Sequence, residues 1–269
     1  MNLKKTFLPT GCAVASLLLT ACEGLFNGLY DNDKLAERKE EKIAAAAGQL
    51  YVDASEWGMW YYLDFKELQD SVNTLKAKDS LATYTYQWKA YDIPTERTAE
   101  TDGPAGIYTY WYDVFGAGIS VNERRDFYPT APQPTPERWD IAVHRNNVRT
   151  NGAGVYETGY TSMADLPEGK EAFAGCTFTE DAWSEKEVWV VQSQMLSGLI
   201  GNQGIEINPV LSRWLIVSIP PMPPQFTLNN HVFILRLSDG TFAALQLENY
   251  QNSSGKKCCL SINYRYPLE

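Results

Sequence analysis

The stretch that decides the fold is Phe233-Ile-Leu-Arg-Leu-Ser-Asp-Gly-Thr-Phe-Ala-Ala-Leu-Gln-Leu-Glu248. Phe233, Leu235 and Leu237 stand at every second position, which predicts a strand with one buried face. Asp239-Gly240 predicts a tight hairpin turn, because both residues tolerate the backbone angles of such turns. The return strand alternates in the same way, with inward Ala243, Leu245 and Leu247 against outward Gln246 and Glu248.

A third strand extends this pattern to the C-terminal end of the sequence. After Asn252-Ser-Ser-Gly255, one predicted strand face carries Cys258, Leu260, Ile262, Tyr264 and Tyr266. Three consecutive strands of this kind form an antiparallel meander. Aromatic side chains alternate earlier as well, at Tyr84, Tyr86 and Trp88 and again at Tyr108, Tyr110 and Tyr112. Helical periodicity is weak after residue 48, so the sequence predicts an all-β, antiparallel, sandwich-like domain.

The N-terminal residues indicate export and a lipid anchor. Residues 1–21 are typical of a signal peptide, with a basic start at Lys4 and Lys5 and a short apolar centre. Leu19-Thr20-Ala21-Cys22 resembles a lipobox, so we expect Cys22 to be the lipidation site. The alternative is an ordinary secretory signal with an incidental cysteine. Residues 22–48 are predicted to be a lipidated tether with a short helix over 33–47, and residues 49–269 the β-domain.

Composition excludes several classes of protein. The formal net charge of −10 disfavours nucleic acid as a partner and disfavours electrostatic binding to anionic lipid. No Gly-x-Ser-x-Gly, Walker loop or His-Glu-x-x-His motif occurs, so we expect no enzyme. The predicted β-domain has an odd number of cysteines, which are Cys176, Cys258 and Cys259. One disulfide with Cys176 stays open in an exported chain, whereas Cys258 and Cys259 are poorly placed to bridge each other.

The stretch Arg138-Trp-Asp-Ile-Ala-Val-His-Arg-Asn-Asn-Val-Arg-Thr-Asn-Gly-Ala-Gly154 is the most specific motif of the chain. It resembles a signature of the HmuY family of haem-binding surface lipoproteins. Two further blocks resemble the same family, and they are Tyr51–Leu63 and the region from Trp214 to Pro267. Residues 66–137 look like a long insertion relative to this family, and Asn202–Ser212 looks shorter than its counterpart.

This resemblance implies a membrane-anchored protein of the outer membrane, facing the cell surface, with haem as its cofactor. Such proteins take haem from host or bacterial carrier proteins and deliver it to a TonB-dependent outer-membrane receptor. The founding member holds the iron with two histidines, and some relatives look methionine-ligated. Haem iron accepts His, Met, Cys or Tyr as axial ligands, so these residue types are the candidates.

The two histidines are predicted to be structural. His144 shares a strand face with Asp140 and Ala142, and the motif's histidine is not the axial ligand even in the His-ligated member. His231 follows Asn229-Asn230 at the start of a strand, with no partner visible in the sequence.

Met195 and Met222 are the predicted axial ligands. Met222 lies in Ile219-Pro-Pro-Met-Pro-Pro224, where prolines restrict the chain and lower the entropy lost on binding. The resemblance implies that this region supplies one ligand, with Ile219 at the aligned histidine position. Met195 lies where the family's other ligand loop is expected, after a strand with Trp189 and Val191. Two thioethers suit reduced iron, although methionines also fill gaps in cores. Arg213 and Arg145 are candidate partners for the haem propionates.

Three other interpretations stay open at the level of sequence. The abundant Trp and Tyr also suit a surface carbohydrate-binding or adhesion module, which would present its aromatics as an open strip. A glycan-active enzyme would need two carboxylates facing each other across a cleft. A relative that keeps the scaffold without binding haem is the third.

Overall fold

The computed structural model of the protein describes residues 48–78, 84–95 and 105–269. The predicted signal peptide, Cys22 and nearly all of the tether with its helix lie outside these residues. The described strands are β1 Gln49–Asp53, β2 Met59–Leu63, β3 Lys89–Asp92, β4 Ile107–Asp113, β5 Gly118–Phe127, β6 Ile141–His144, β7 Asn147–Thr150, β8 Gly154–Glu157, β9 Ala182–Val191, β10 Leu199–Ile207, β11 Leu215–Ser218, β12 Gln225–Leu228, β13 Phe233–Arg236, β14 Phe242–Gln251 and β15 Lys257–Arg265. A single α-helix, α1 Phe65–Ala77, occurs in the described part of the chain.

The strands form four antiparallel sheets. The orders are β1-β15-β14-β13-β8, β5-β4-β10-β9, β3-β2-β6-β7 and the pair β11-β12. This arrangement confirms the all-β antiparallel class, with the strands divided among more than two sheets. In the described ranges, no helix has the length and apolar character needed to cross a bilayer.

The predicted C-terminal meander is the centre of the largest sheet. In the β13–β14 hairpin Phe233 pairs with Leu245, and Gly240 takes the positive φ of 82° that the tight turn requires. β14 then pairs with β15, so the meander is confirmed. The alternating pattern predicts that Gln246 faces solvent, and this prediction is wrong, because the side chain is buried. An apolar cluster that contains Leu166, Phe173 and Ala244 covers the face of the sheet that was expected to be open to solvent.

Helix α1 is missing from the sequence-based prediction. Its N-cap is Asp64, whose side chain accepts a hydrogen bond from the Glu67 backbone N–H at 2.8 Å. Phe65, Leu68 and Val72 form its buried face. Asp64 and Glu67 have the three-residue spacing of a capping box, a local signal that predicts a helix start.

The residues predicted as an insertion, 66–137, contribute most of α1 and all of β3, β4 and β5. β3 pairs with β2 and β4 pairs with β10, so both strands extend sheets built from the rest of the domain. Among the described residues Cys176, Cys258 and Cys259 are free thiols, and the disulfide left open for Cys176 is not formed.

Candidate functional site

Met222 lies on the loop that joins β11 to β12. The hairpin closes at the pair Ser218 and Gln225, and residues 219–224 project beyond it. The side chain of Met222 is 39% exposed. The hydroxyl of Tyr112, at the end of β4, donates to the Met222 sulfur at 3.5 Å. A tyrosine of the neighbouring sheet therefore holds the thioether at the tip of its loop.

The base of the Met222 loop packs on the β4–β5 hairpin. Gly118 begins β5 with a φ of 69°, and a Cβ at that position would lie 3.0 Å from the Ile219 carbonyl oxygen. Only glycine fits both the backbone angle and the close approach. The proline-rich loop is consequently packed against the same strand pair that carries Tyr112.

Met195 begins a 3-10 turn, Met195–Ser197, between β9 and β10. Gly198 ends the turn with a φ of 78°, and its carbonyl oxygen accepts a hydrogen bond from the Tyr112 backbone N–H at 2.5 Å. The side chain of Met195 is half-buried. The turn that carries Met195 is thus bonded to the end of β4.

Tyr112 therefore connects the two predicted ligand loops. Its backbone N–H bonds the Met195 turn, and its hydroxyl bonds the Met222 sulfur. Exposed apolar side chains stand on the adjoining hairpin tips, since Phe115 is 95% and Leu196 is 92% exposed. The structure brings the two methionine loops to one end of β4, beside the exposed side chains of Phe115 and Leu196.

A row of rings leads away from Tyr112 along the domain. Tyr112 meets Trp189 edge-on, with ring centroids 5.6 Å apart, and Trp189 stacks on Trp57 at 6.1 Å. The Arg145 guanidinium lies 3.9 Å from the Trp57 ring centroid and also donates to the Ser55 carbonyl at 2.7 Å. Sequence reasoning missed Tyr112 and Trp57 as site residues. The alternation of Tyr108, Tyr110 and Tyr112 was the only available signal.

His144 is enclosed beneath this row and is not exposed at all. Its Nε2 lies 2.8 Å from the Trp57 carbonyl oxygen, and its ring lies 5.4 Å from that of Trp60. Burial lowers the pKa of His144 to about 4, so the imidazole is neutral at physiological pH. These contacts agree with the structural role predicted from the sequence.

His231 does have a partner, which the sequence did not reveal. Its Nδ1 lies 2.9 Å from Glu157, which also pairs with Arg213 at 2.8 Å and accepts from Asn229. Partial burial raises the pKa of Glu157, but the hydrogen bonds from Asn229 and His231 and the Arg213 charge outweigh it and hold that pKa below its usual value. Arg213 is therefore already paired with a carboxylate.

Comparisons with a family model and with solved structures point to the same family. The family described as HmuY protein matches residues 56–264. A solved structure from Bacteroides vulgatus, described as an HmuY-like haem-binding protein, is 29% identical, with 82% of this chain and 92% of that chain covered and a TM-score of 0.55. A structure described as a lipoprotein of Bacteroides fragilis is 28% identical, with 82% and 89% covered and a TM-score of 0.54.

A third structure shows the fold alone, because its sequence is more distant. The apo HmuY analog of Tannerella forsythia is 19% identical, with 85% of this chain and 97% of that chain covered and a TM-score of 0.52. No curated protein sequence matches this chain.

The family match spans well over half of the sequence and contains the Arg138–Gly154 motif together with both methionine loops. The chain belongs to the HmuY family.

Proposed function

We propose that this protein binds haem at the end of β4, where the loops of Met195 and Met222 meet. The observation that carries the proposal is the double contact of Tyr112 with both loops. Met195 and Met222 belong to different hairpins, and Tyr112 bonds Gly198 of one loop and the Met222 sulfur of the other, which brings both loops to one end of β4. Family membership and the haem-binding description of the Bacteroides vulgatus relative support the same function.

The chemistry of the surface suits haem. When bound, haem would supply an iron that accepts thioether sulfur as a ligand, and Met195 and Met222 would be the residues that hold it. Two neutral, soft sulfur ligands favour the reduced iron. The exposed Phe115 and Leu196 provide apolar area for a macrocycle. The hydroxyl-to-sulfur contact of Tyr112 is weak, because thioether sulfur is a poor acceptor, so Met222 is readily released to a metal.

The predicted propionate partners gain no support. Arg213 is paired with Glu157 at 2.8 Å, and Arg145 is stacked on Trp57. Using either arginine would break an existing contact. The proposal therefore assigns the two methionines as cofactor-binding residues and leaves the propionates without a named protein partner.

The wider proposal is a lipoprotein that captures haem for uptake. Acylation at Cys22 would anchor the chain, and residues 22–48 would hold the β-domain away from the outer membrane. Haem would come from a host or bacterial carrier and pass to a TonB-dependent receptor. The lipobox sequence Leu19–Cys22 and the lipoprotein described from Bacteroides fragilis support this role.

The rings between Tyr112 and Arg145 weigh against carbohydrate binding at this end. Sugar recognition needs flat aromatic faces open to solvent, whereas Trp57 and Trp189 stack on each other and Tyr112 is 3% exposed. Haem, with a larger apolar surface and an iron atom, fits the methionine loops better.

The test is a haemin titration of residues 49–269 in the oxidised and the dithionite-reduced state. We expect a saturable six-coordinate spectrum that is stronger on reduction. Met195→Ala and Met222→Ala should each weaken binding by at least the roughly 10- to 100-fold typical of second-shell losses. Tyr112→Phe should weaken it less, because it removes only the contact that positions Met222.

Met59→Ala is the matched control. Met59 is half-buried and also receives a tyrosine hydroxyl on its sulfur, from Tyr61 at 3.8 Å, but it lies on β2. The control should bind haemin like the wild type. Full binding by both Met195→Ala and Met222→Ala would contradict the ligand assignment. A wild-type protein without any spectral change would contradict haem binding.

A further inference from the structure

A cleft lies away from the methionine loops. Its volume is about 300 Å³, and its lining includes Arg149, Trp183 and Gln203, with three prolines at positions 94, 129 and 132. Gln203 is four residues along β10 from Leu199, the first residue after the Met195 turn and its Gly198 cap. Four residues of strand span roughly 13 Å, so this cleft is distinct from the proposed haem site.

Arg149 enters the cleft without a carboxylate partner. Its Nε and Nη1 atoms are buried and have no partner at hydrogen-bond geometry; the nearby Tyr62 hydroxyl interacts with the guanidinium, but it is neutral and leaves the charge uncompensated. Within residues 48–78, 84–95 and 105–269, none of the ion pairs includes Arg149. Asp181 influences it electrostatically, but Thr150 and Asn208 already bond both Asp181 oxygens. Arg149 is half-buried, and leaving two of its buried nitrogens unbonded is costly, so an anion that pairs with the guanidinium would relieve part of that cost.

Aromatic rings hold the guanidinium in place. Its central carbon lies 5.1 Å from the Trp139 ring centroid and 5.8 Å from that of Trp60. Cation–π contacts of this kind orient the group without neutralising it. The charge therefore remains available to a ligand that enters the cleft.

The two amide side chains of the lining are already bonded. The Gln203 side-chain oxygen accepts from the Trp60 indole N–H at 2.9 Å, and its amide nitrogen donates to Gln133 at 3.0 Å. The Gln133 amide nitrogen donates in turn to the Asp92 carbonyl at 3.1 Å. A sugar with several hydroxyls would find few free partners here. A ligand with one anionic group and an apolar body needs few hydrogen-bond partners, so this lining suits it better.

The walls of the cleft favour a ligand that has a flat apolar body and a single negative charge. Trp183 is 48% exposed, and Gly204 lets the ring approach closely, because a Cβ there would lie 2.8 Å from it. Together with the three prolines, this ring forms an apolar slot. Glu206 also lines the cleft and would repel a second negative charge on the ligand.

We propose that Arg149 anchors a binding site for small aromatic monocarboxylates between Trp183 and the proline wall. The carboxylate meets the side of the Arg149 guanidinium that lines the cleft, and the ring lies against Trp183. This site needs no haem and does not use Met195 or Met222.

The test titrates the ¹⁵N-labelled protein with sodium benzoate and, separately, with its neutral isostere benzamide. Benzoate should shift the indole N–H signals of Trp60 and Trp183. Benzamide should bind about tenfold or more weakly, because a charge-assisted hydrogen bond is lost. Arg149→Met keeps the apolar stem and should abolish benzoate binding. Arg213→Met, which removes an arginine at another site, should leave it unchanged.

Melting curves separate this role from a purely structural one. Arg149→Met should melt no lower than the wild type, because it removes an uncompensated buried charge. A lower melting temperature with unchanged benzoate affinity would assign Arg149 to packing alone and overturn the proposal. Equal affinity of the wild type for benzoate and benzamide would also overturn it, and that comparison needs no variant. Absence of benzoate binding to the wild type has the same consequence.

Discussion

His144 and Met222 show how the surroundings of a residue decide what its side chain can do. The His144 ring has no solvent exposure and lies against the Trp57 carbonyl, whereas Met222 is 39% exposed and has only one weak contact through its sulfur. Burial disfavours the charged imidazole and stabilises the neutral one. Haem iron needs a donor that can reach it, and of these two residues only Met222 lies at the surface.

The buried His144 should make stability depend on pH. Its pKa falls from 6.5 to about 4 on folding, so the unfolded chain binds the proton first as the pH drops. Stability present above pH 6.5 is therefore lost as the pH falls toward 4. Asp140 acts in the opposite direction, since burial raises its pKa to about 6 and its protonated form is favoured in the folded chain. The two effects offset each other in the wild type.

Asp140→Asn isolates the contribution of His144. This variant should lose about 2–3 kcal/mol of unfolding free energy from His144 between pH 7 and pH 4.5. The double variant Asp140→Asn with His144→Gln should lack that loss, because Gln keeps a donor for the Trp57 carbonyl and does not titrate. Urea denaturation of both proteins at the two pH values measures the difference. Identical pH dependence in the two would show that His144 does not carry the effect.

At the scale of elements, α1 depends on its first turn. Asp64 accepts from the Glu67 N–H at 2.8 Å and pairs with Arg138 at 3.1 Å, with only 6% of its side chain exposed. An N-cap acceptor satisfies a backbone donor that the helix itself leaves unpaired. This cap also fixes where β2 ends and α1 begins, since Leu63 ends the strand and Phe65 starts the helix.

Asp64→Ala should lower the unfolding free energy by about 1 kcal/mol, and by up to about 2 kcal/mol where capping is strong. Asp64→Asn is the control, because its side-chain oxygen still accepts from Glu67 although the charge is lost. Denaturant midpoints of the three proteins provide the measurement. Equal destabilisation by Ala and Asn would assign the effect to the Arg138 ion pair instead of the cap.

At the scale of the whole molecule, the strands of residues 66–137 join the sheets formed by the rest of the domain. β4 stands between β5 and β10 in its sheet, so Tyr112 is held from both sides. This placement makes the residues predicted as an insertion part of the proposed haem site. The acidic net charge of −10 leaves acylation as the proposed means of attachment to a membrane.

The proposed lipid anchor at Cys22 lies outside the β-domain, so its test uses the full chain. Cys22→Ser should prevent acylation, because serine lacks the thiol that accepts the lipid. Expressed in a Gram-negative host, the wild type should partition into the detergent phase of Triton X-114 and the variant into the aqueous phase. An aqueous wild type would refute lipidation and favour an ordinary secretory signal.

The sequence by itself determined the features that local chemistry specifies. Alternation in Phe233–Glu248 and the Asp239-Gly240 turn predict the meander, since side-chain period and turn angles need only neighbouring residues. The Arg138–Gly154 motif resembles the family that the chain belongs to, and this resemblance together with residue chemistry predicts a structural role for His144. The helix α1 carried a local signal at Asp64 and Glu67 that hydrophobic periodicity alone did not reveal.

Only the tertiary structure decided which distant residues meet. The contact of Tyr112 with the loops of Met195 and Met222 depends on the pairing of β4 with β10 and on the packing of Gly118 against Ile219. The burial of Gln246 and the unpaired state of Arg149 also depend on what packs beside them. Such contacts join residues far apart in the chain, and their energies come from packing and desolvation that a linear pattern does not contain.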